Sequence, residues 1–225
     1  MGWIIKSYPL KTKSQEKEMD KGYCLPKDLI ILISGVPGVG KTTISWELLK
    51  VYQEFRLVEE TDIIREILRG YNNRLTSVYK SSSDEIYAHD TFLSYDMAKQ
   101  QCKIMKNSII NIIKRQQRKG IPSIINGVHI IPEELYLSTP FPNILYINFY
   151  IDSEKALWNR LNKRNPQKYK KEYVPILYQT NLDLNNSLCN IPKDLCMIHS
   201  INISNLSIQE TLSKIDKIFC TVYKN

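Results

Sequence analysis

Short apolar runs separated by longer amphipathic segments recur along the whole chain. The run at 29–34 is unbroken and rich in β-branched residues, which is typical of a central parallel strand covered on both faces. Further short segments that contain apolar residues predict strands at 56–60, 123–127, 143–150 and 197–203. Helical periodicity occupies the intervening segments 42–53, 63–68, 84–117, 153–163, 173–184 and 207–223. This alternation predicts an α/β fold, a three-layer sandwich with a central parallel sheet of about five strands and helices on both faces.

The pattern also indicates how the chain is divided. Its 225 residues suffice for one α/β domain with a buried sheet. Residues 1–27 lack sustained periodicity and Pro26 ends them, so we interpret them as an N-terminal extension. Residues 28–225 then form the domain, in which the basic, polar stretch around 160–173 is the candidate for a lid over the site.

Charge and cysteine usage narrow the classes of partner. The net charge of +8 attracts anions such as nucleotides and phosphorylated metabolites, but the lysines are scattered, so a nucleic-acid partner is not indicated. The five cysteines contain no C-x-x-C pair and fit neither a disulfide framework nor a zinc site, which favours a reducing, cytoplasmic compartment. No apolar run approaches the ~18 residues of a membrane span, so we expect no membrane partner.

The strongest chemical signal is a glycine-rich motif between the first strand and the first helix. Residues 35–42 read Gly-Val-Pro-Gly-Val-Gly-Lys-Thr and fit the phosphate-binding pattern G-x-x-x-x-G-K-[ST] in its proper strand–loop–helix context. Backbone N–H groups would cradle phosphates, Lys41 would reach the β and γ phosphates, and the Thr42 hydroxyl would ligand Mg²⁺. The expected ATP-binding residues are Gly35, Val36, Pro37, Gly38, Val39, Gly40, Lys41, Thr42 and Thr43.

Two charged residues follow the second predicted strand, at the edge where open α/β sheets bind ligands. Asp62 could accept the proton of an attacking hydroxyl, and Arg65 could bind a carboxylate or phosphate bidentately. Alternatively, Asp62 is only a helix N-cap and Arg65 a solvated helix residue. We favour the functional interpretation for both.

The third predicted strand ends at Asn126, where a phosphate-loop protein usually carries an acid facing the magnesium shell. An amide can bond a metal-bound water or a substrate, but it supplies no charge and cannot act as a base. His129, three residues on, is either a substrate contact or a hydrogen-bonded structural histidine.

Two arginines on the helix after the fourth strand are candidates for catalysis. Arg160 and Arg164 stand four residues apart and can therefore face the same phosphates. Arginines delivered from a lid stabilise the charge that develops on a γ-phosphoryl group during its transfer. The alternative is a solvated basic face.

In combination these stretches resemble the 2-phosphoglycerate kinase family from about Leu29 to the C-terminal helix. The matching segments are GVPGVGKTT, ETDIIREILR, the serine cluster around Ser82, GIPSIINGVHIIP, KYKKEYVPILYQTNLDL and MIHSINISNLSIQETLSKI. The resemblance implies a P-loop kinase fold and an ATP- and magnesium-dependent kinase acting on a small phosphorylated acid. It places Asp62, Arg65 and Ser82 on the acceptor side, and we add Asn126 and His129 as acceptor contacts.

Two other interpretations remain open at this point. The basic balance would also suit a kinase of nucleosides, nucleotide sugars or nucleic-acid ends. The neutral Asn126 would suit a nucleotide-binding protein without catalysis.

Overall fold

The computed structural model describes residues 22–71, 94–135, 143–166, 169–188, 191 and 197–224. Five strands form one sheet: β1 Ile30–Ser34, β2 Leu57–Glu60, β3 Ser123–Asn126, β4 Ile144–Tyr150 and β5 Met197–Asn202. All pairings are parallel and the spatial order is β2-β3-β1-β4-β5. The predicted parallel sheet of about five strands is confirmed, and its carboxyl ends meet at one edge.

Within the described residues, seven α-helices connect or flank these strands. Their bounds are α1 Lys41–Val51, α2 Thr61–Arg69, α3 Tyr95–Arg118, α4 Pro132–Leu135, α5 Glu154–Arg164, α6 Val174–Ser187 and α7 Ile208–Val222. A 3₁₀ turn, Lys171–Tyr173, precedes α6. Serine hydroxyls cap the starts of α3, α5 and α7, and Ser207 forms a complete capping box with Glu210.

The core lies on both sides of β1. Every residue of this strand is buried, which accounts for its unbroken apolar run, since a central parallel strand has no solvent face. Helix α3 contributes a long apolar face that includes Met105, Ile109 and Ile113. The expected start of this helix near Asp84, and the loop expected before it, lie outside the described residues.

The described part of the predicted N-terminal extension packs onto the domain. Leu25 is buried, and the Tyr23 hydroxyl donates a 2.6 Å hydrogen bond to Asp216 of α7. Leu25 is therefore part of the core, and Tyr23 packs against it beside the C-terminal helix. Among the described helices, none combines the length and apolar character needed to cross a bilayer.

Candidate active site

The phosphate-binding loop emerges from β1 at the centre of the sheet. Gly35, Gly38 and Gly40 adopt φ angles of 137°, 90° and 86°, which side chains rarely allow. Gly40 is the N-cap of α1 and no side chain caps this helix end. Its first N–H groups therefore face the loop and, together with the helix dipole, form an anion site.

The glycines also allow close packing beneath the loop. A Cβ atom on Gly35 would lie 2.5 Å from the carbonyl oxygen of Phe149, and one on Gly38 would lie 2.8 Å from Leu161 Cδ2. The loop is thus held against β4 and α5, the helix that carries the two predicted catalytic arginines.

Lys41 begins α1 and is held across the loop, where its Nζ donates a 3.0 Å hydrogen bond to the Val36 carbonyl. Burial, with a smaller contribution from Arg164, lowers the pKa of Lys41 to about 8 against the opposing effects of Asp62 and Glu60. A bound phosphate would supply the counter-charge that this ammonium group needs.

An open cavity of about 580 Å³ lies above the loop. Its lining consists of loop and α1 residues on one side and basic residues of α5 on the other: Gly38, Gly40, Lys41, Thr42, Thr43, Arg160, Lys163 and Arg164. Arg164 is exposed and lines this cavity together with Lys41, and its predicted contact with the γ-phosphoryl group stays a prediction. The volume is within the range of small-ligand pockets.

Arg160 lies at the cavity wall and links α5 to the loop after β5. Its Nη2 donates hydrogen bonds to the carbonyl oxygens of Ile203, Ser204 and Leu206. Its predicted share in stabilising the γ-phosphoryl charge, beside Arg164, stays a prediction.

A second, smaller groove adjoins the cavity on the Thr43 side. It has a volume of about 210 Å³ and is lined by residues of α1, Arg160 and the segment that leads into α7: Val39, Gly40, Thr43, Ile44, Arg160, Ile203, Leu206, Ser207, Ile208 and Thr211. The loop after β5 was not among the predicted site residues. Its signal was weak, because apolar and small polar residues after a strand have no distinctive pattern.

Asp62 and Arg65 lie in the first turns of α2, directly after β2. Arg65 Nη1 is 3.3 Å from Asp62 Oδ1, and Nη2 is 2.8 Å from Glu66 Oε1. The Asp62 carboxylate remains 58% exposed. The N-cap position of α2 is occupied by Glu60, not by Asp62, and no side chain makes a capping hydrogen bond at this helix start. The alternative of Asp62 as a mere N-cap is thus not the observed arrangement.

Asn126 ends β3 beside the first turn of α1. It is buried, and its Nδ2 donates a 3.1 Å hydrogen bond to Ser45 Oγ, which in turn donates to the Lys41 carbonyl. The amide therefore braces the helix that carries Lys41. Its predicted contact with the acceptor stays a prediction.

His129 is fully buried, which corrects its prediction as a direct substrate contact. Its Nδ1 lies 2.9 Å from Thr61 Oγ1 and its Nε2 lies 2.9 Å from Gln101 Oε1. Burial lowers the pKa of His129 to about 4, outweighing the opposing effect of Asp62. The structural alternative given for this residue is the one that its surroundings favour.

Sequence reasoning also missed Tyr169, which follows α5. The phenol is half-buried, and burial raises its pKa, while Arg164 lowers and Asp62 raises it. Tyr169 is therefore close enough to both Arg164 and Asp62 for their charges to act on its phenol. Ser82, the remaining predicted acceptor contact, lies outside the described residues.

The residues present fit a magnesium ion only in combination with phosphates. Within the described ranges, no group of three His, Cys, Asp or Glu side chains could hold a metal on its own. Mg²⁺ commonly binds through phosphate oxygens, water and one or two protein ligands, so such a cluster is not required. Thr42, at the cavity wall, has the hydroxyl that this arrangement uses.

Gly127 brings the end of β3 against the start of α2. A Cβ atom there would lie 1.7 Å from Thr61 Oγ1, so Thr61 and its helix would have to move. We expect Gly127→Ala to lower the free energy of unfolding by about 3 kcal/mol or more, as measured by urea denaturation. The matched control is Gly120→Ala, where φ is +60° but the nearest atom is 3.9 Å away, and a cost of only ~1 kcal/mol is expected. Equal losses in the two variants would contradict this packing.

Comparison with known proteins identifies a matching family model and several similar proteins. The family model described as Novel STAND NTPase 3 matches residues 14–130, just over half of the chain. A 2-phosphoglycerate kinase of Thermococcus kodakarensis is 29% identical over 177 residues, covering 66% of this chain and 54% of that protein. The 2-phosphoglycerate kinase of Pyrococcus horikoshii is 30% identical over 211 residues, covering 83% of this chain and 62% of that protein. The chain thus spans less than two thirds of the length of these two curated relatives.

Solved structures confirm the fold. A gluconokinase from Sinorhizobium meliloti superposes on this chain with a TM-score of 0.53 at 13% sequence identity. The superposition covers 89% of this chain and 96% of the gluconokinase chain. The predicted P-loop kinase sandwich is therefore correct. The chain belongs to the family described as Novel STAND NTPase 3, and its similarity to curated 2-phosphoglycerate kinases confirms the resemblance that its motifs predicted.

Proposed function

We propose that this protein is an ATP-dependent kinase that transfers the γ-phosphoryl group to a small anionic acceptor such as 2-phosphoglycerate. The observation that carries the proposal is the juxtaposition around Lys41. Lys41 and Arg164 face one cavity above the phosphate loop, and the charge of Asp62, at the start of α2, acts on the same lysine. An acidic group beside the γ-phosphate site is what a transferase needs and a simple nucleotide-binding protein does not.

The nucleotide would occupy the two adjoining spaces. Its phosphates would accept hydrogen bonds from the N–H groups at the start of α1 and from Lys41, and its base would lie in the apolar groove beside Ile203 and Leu206. By bonding the carbonyls of the loop after β5, Arg160 would keep that groove in place. Bound Mg²⁺ would be held by the Thr42 hydroxyl, phosphates and water, and would neutralise phosphate charge.

The acceptor would bind on the α2 side of the cavity. Arg65 can bind a carboxylate or phosphate bidentately, and Asp62 can receive the proton of the attacking hydroxyl. In the transfer, the hydroxyl oxygen forms a bond to the γ phosphorus while the bond to the leaving oxygen of ADP breaks. Lys41 and Arg164 stabilise the charge on the transferred group. The stretch around 160–173, which carries Arg164 and Tyr169, would act as the lid of a domain spanning 28–225.

The lowered pKa of Lys41 gives a pH dependence to nucleotide binding. Bound phosphate favours the ammonium form, so ATP affinity should be full well below the free-state pKa of about 8 and should fall as the pH rises through it. The loss should approach about tenfold per pH unit at higher pH, with uptake of a proton on binding. Calorimetry in two buffers of different ionisation enthalpy measures that uptake. Lys163→Met should retain the same pH profile, and an affinity constant from pH 7 to 9.5 would contradict the assignment.

The acceptor is tested with a panel of candidates. The protein, ATP and Mg²⁺ are incubated with 2-phosphoglycerate, other phosphorylated acids, sugars, nucleosides and an oligonucleotide end, and ADP release above the acceptor-free rate is measured. We expect the largest increase with a phosphorylated acid and none with an oligonucleotide. The largest increase with a nucleoside would favour the alternative kinase class. ATP binding without any acceptor-dependent release would favour a nucleotide-binding NTPase, as the description of the family model allows.

A further inference from the structure

A buried chain of polar side chains lies behind the carboxylate of Asp62. It runs from Thr61 at the start of α2, through His129 after β3, to Gln101 in the second turn of α3. His129 and Gln101 are both 0% exposed, and Asp62 Oδ1 lies 3.8 Å from His129 Nδ1. The chain therefore connects the exposed acid of the acceptor side to the interior of the protein.

The protonation of His129 determines which groups along this buried chain of side chains donate hydrogen bonds and which accept them. The charged groups that act on the ring are Asp62, which favours the imidazolium, and Arg65 and Lys41, which disfavour it together with burial. The ring is therefore neutral and carries one N–H. If Gln101 accepts at Oε1, the N–H is on Nε2 and Nδ1 accepts from Thr61.

That direction leaves Gln101 Nε2 buried with no hydrogen-bond partner among the described residues. Rotating the amide by 180° lessens the cost, because Gln101 then donates to His129 Nε2 and the ring proton resides on Nδ1. The carbonyl oxygen takes the unpartnered position instead, and buried unpaired carbonyls are tolerated better than buried unpaired N–H groups. In this arrangement Nδ1–H faces both Thr61 Oγ1 and Asp62.

We propose that His129 is the positioning residue of Asp62, with Gln101 fixing the tautomer that presents Nδ1–H to the carboxylate. The proposal rests on the proposed function, in which Asp62 receives the acceptor proton. In the free protein Arg65 holds Asp62 at 3.3 Å. When an acceptor anion engages Arg65, Asp62 changes partner and closes the 3.8 Å gap to His129. The transferred proton ends on Asp62, and His129 stays neutral throughout.

The tautomer is tested without any acceptor. The protein has three histidines, so His89→Gln and His199→Gln variants assign the ring signals in a long-range ¹H–¹⁵N spectrum. We expect His129 to be neutral at pH 7 with its proton on Nδ1, and Asp62→Asn to shift the Nδ1 resonance. A proton on Nε2, or an Nδ1 resonance that ignores Asp62→Asn, would overturn the proposal whatever the enzyme phosphorylates.

Kinetics test the consequence of reversing the tautomer. Gln101→Glu places a carboxylate opposite Nε2, and its ionised form draws a proton onto that nitrogen, so the ring either loses Nδ1–H or becomes an imidazolium that weakens Asp62 as a base. In both cases acceptor-dependent kcat should fall about 10–100-fold while ATP affinity changes less than about twofold. Gln101→Met, which removes the constraint, should give an intermediate loss.

The matched control is Gln116→Met on the same helix. Gln116 is also buried, but it donates a hydrogen bond to Glu59 and is not part of the buried chain of side chains behind Asp62. This variant should keep the wild-type kcat. Equal losses in Gln101→Glu and Gln116→Met would show that α3 acts only through stability, and full activity of Gln101→Glu would remove His129 from the reaction while leaving the proposed kinase intact. If wild-type protein phosphorylates no acceptor, the proposed function fails and the tautomer measurement still decides the position of the proton.

Discussion

Lys41→Ala should lower the rate of phosphoryl transfer by at least about 10²–10³-fold, the usual cost of removing one preorganised donor from a developing oxyanion. Lys41 begins α1 and is held across the phosphate loop by its hydrogen bond to Val36. Its ammonium group lies at a position where burial disfavours charge, so its stabilisation of the γ-phosphoryl group is strong and little screened. The rate is measured as ADP release with saturating acceptor.

A second lysine of the same helix provides the control for Lys41. Lys50 is exposed and pairs with Glu47 on the surface of α1, outside the cavity. Lys50→Ala should therefore change kcat by less than about twofold, because an exposed ion pair contributes little. If the Lys41→Ala variant retains ATP-dependent transfer, the lysine of the phosphate loop is not required for catalysis.

The second large effect is expected at the acceptor side. Asp62→Asn should reduce acceptor-dependent transfer by about 10²–10⁴-fold, the range for loss of a positioned general base. The amide is nearly isosteric but cannot take a proton at the pH of the reaction. Because the carboxylate is 58% exposed at the start of α2, folding should be unaffected. ATP affinity, measured by calorimetry, should be unchanged or slightly improved.

Glu66 is the natural control for Asp62, because both carboxylates are exposed, both lie on α2 and both contact Arg65. Glu66→Gln should retain acceptor-dependent activity within about twofold. If Asp62→Asn and Glu66→Gln lose activity equally, the effect comes from Arg65 rather than from proton transfer. If neither loses activity, another group on the chain accepts the proton.

The strands were predictable because each one leaves a local record in the sequence. A buried parallel strand has no solvent face, so Ile30–Ser34 and Ile144–Tyr150 appear as apolar runs. Helix ends were predictable to within a few residues where a serine caps them, as at Ser153 and Ser207. The four-residue helix Pro132–Leu135 was missed, because one turn is too short to establish a period.

The site, too, contains features that a local sequence pattern predicts and features that depend on contacts between distant segments of the chain. The phosphate loop was predictable because its chemistry requires glycines and a lysine at fixed spacing within eight residues. The contacts of Arg160, by contrast, depend on where the loop after β5 comes to lie, which no local pattern specifies. The burial of His129 was likewise not predictable, since it results from the approach of α2 and α3 to the end of β3.

Transfer of label from [γ-³²P]ATP to 2-phosphoglycerate tests the central claim most directly. The wild-type protein is incubated with both compounds and Mg²⁺, and the products are separated from inorganic phosphate, with Lys41→Ala as the blank. We expect label to appear in a phosphorylated acid, in an amount that matches the ADP formed. Label recovered only as inorganic phosphate, here and in the same assay with the other anionic acceptors of the panel, would contradict the proposed kinase activity.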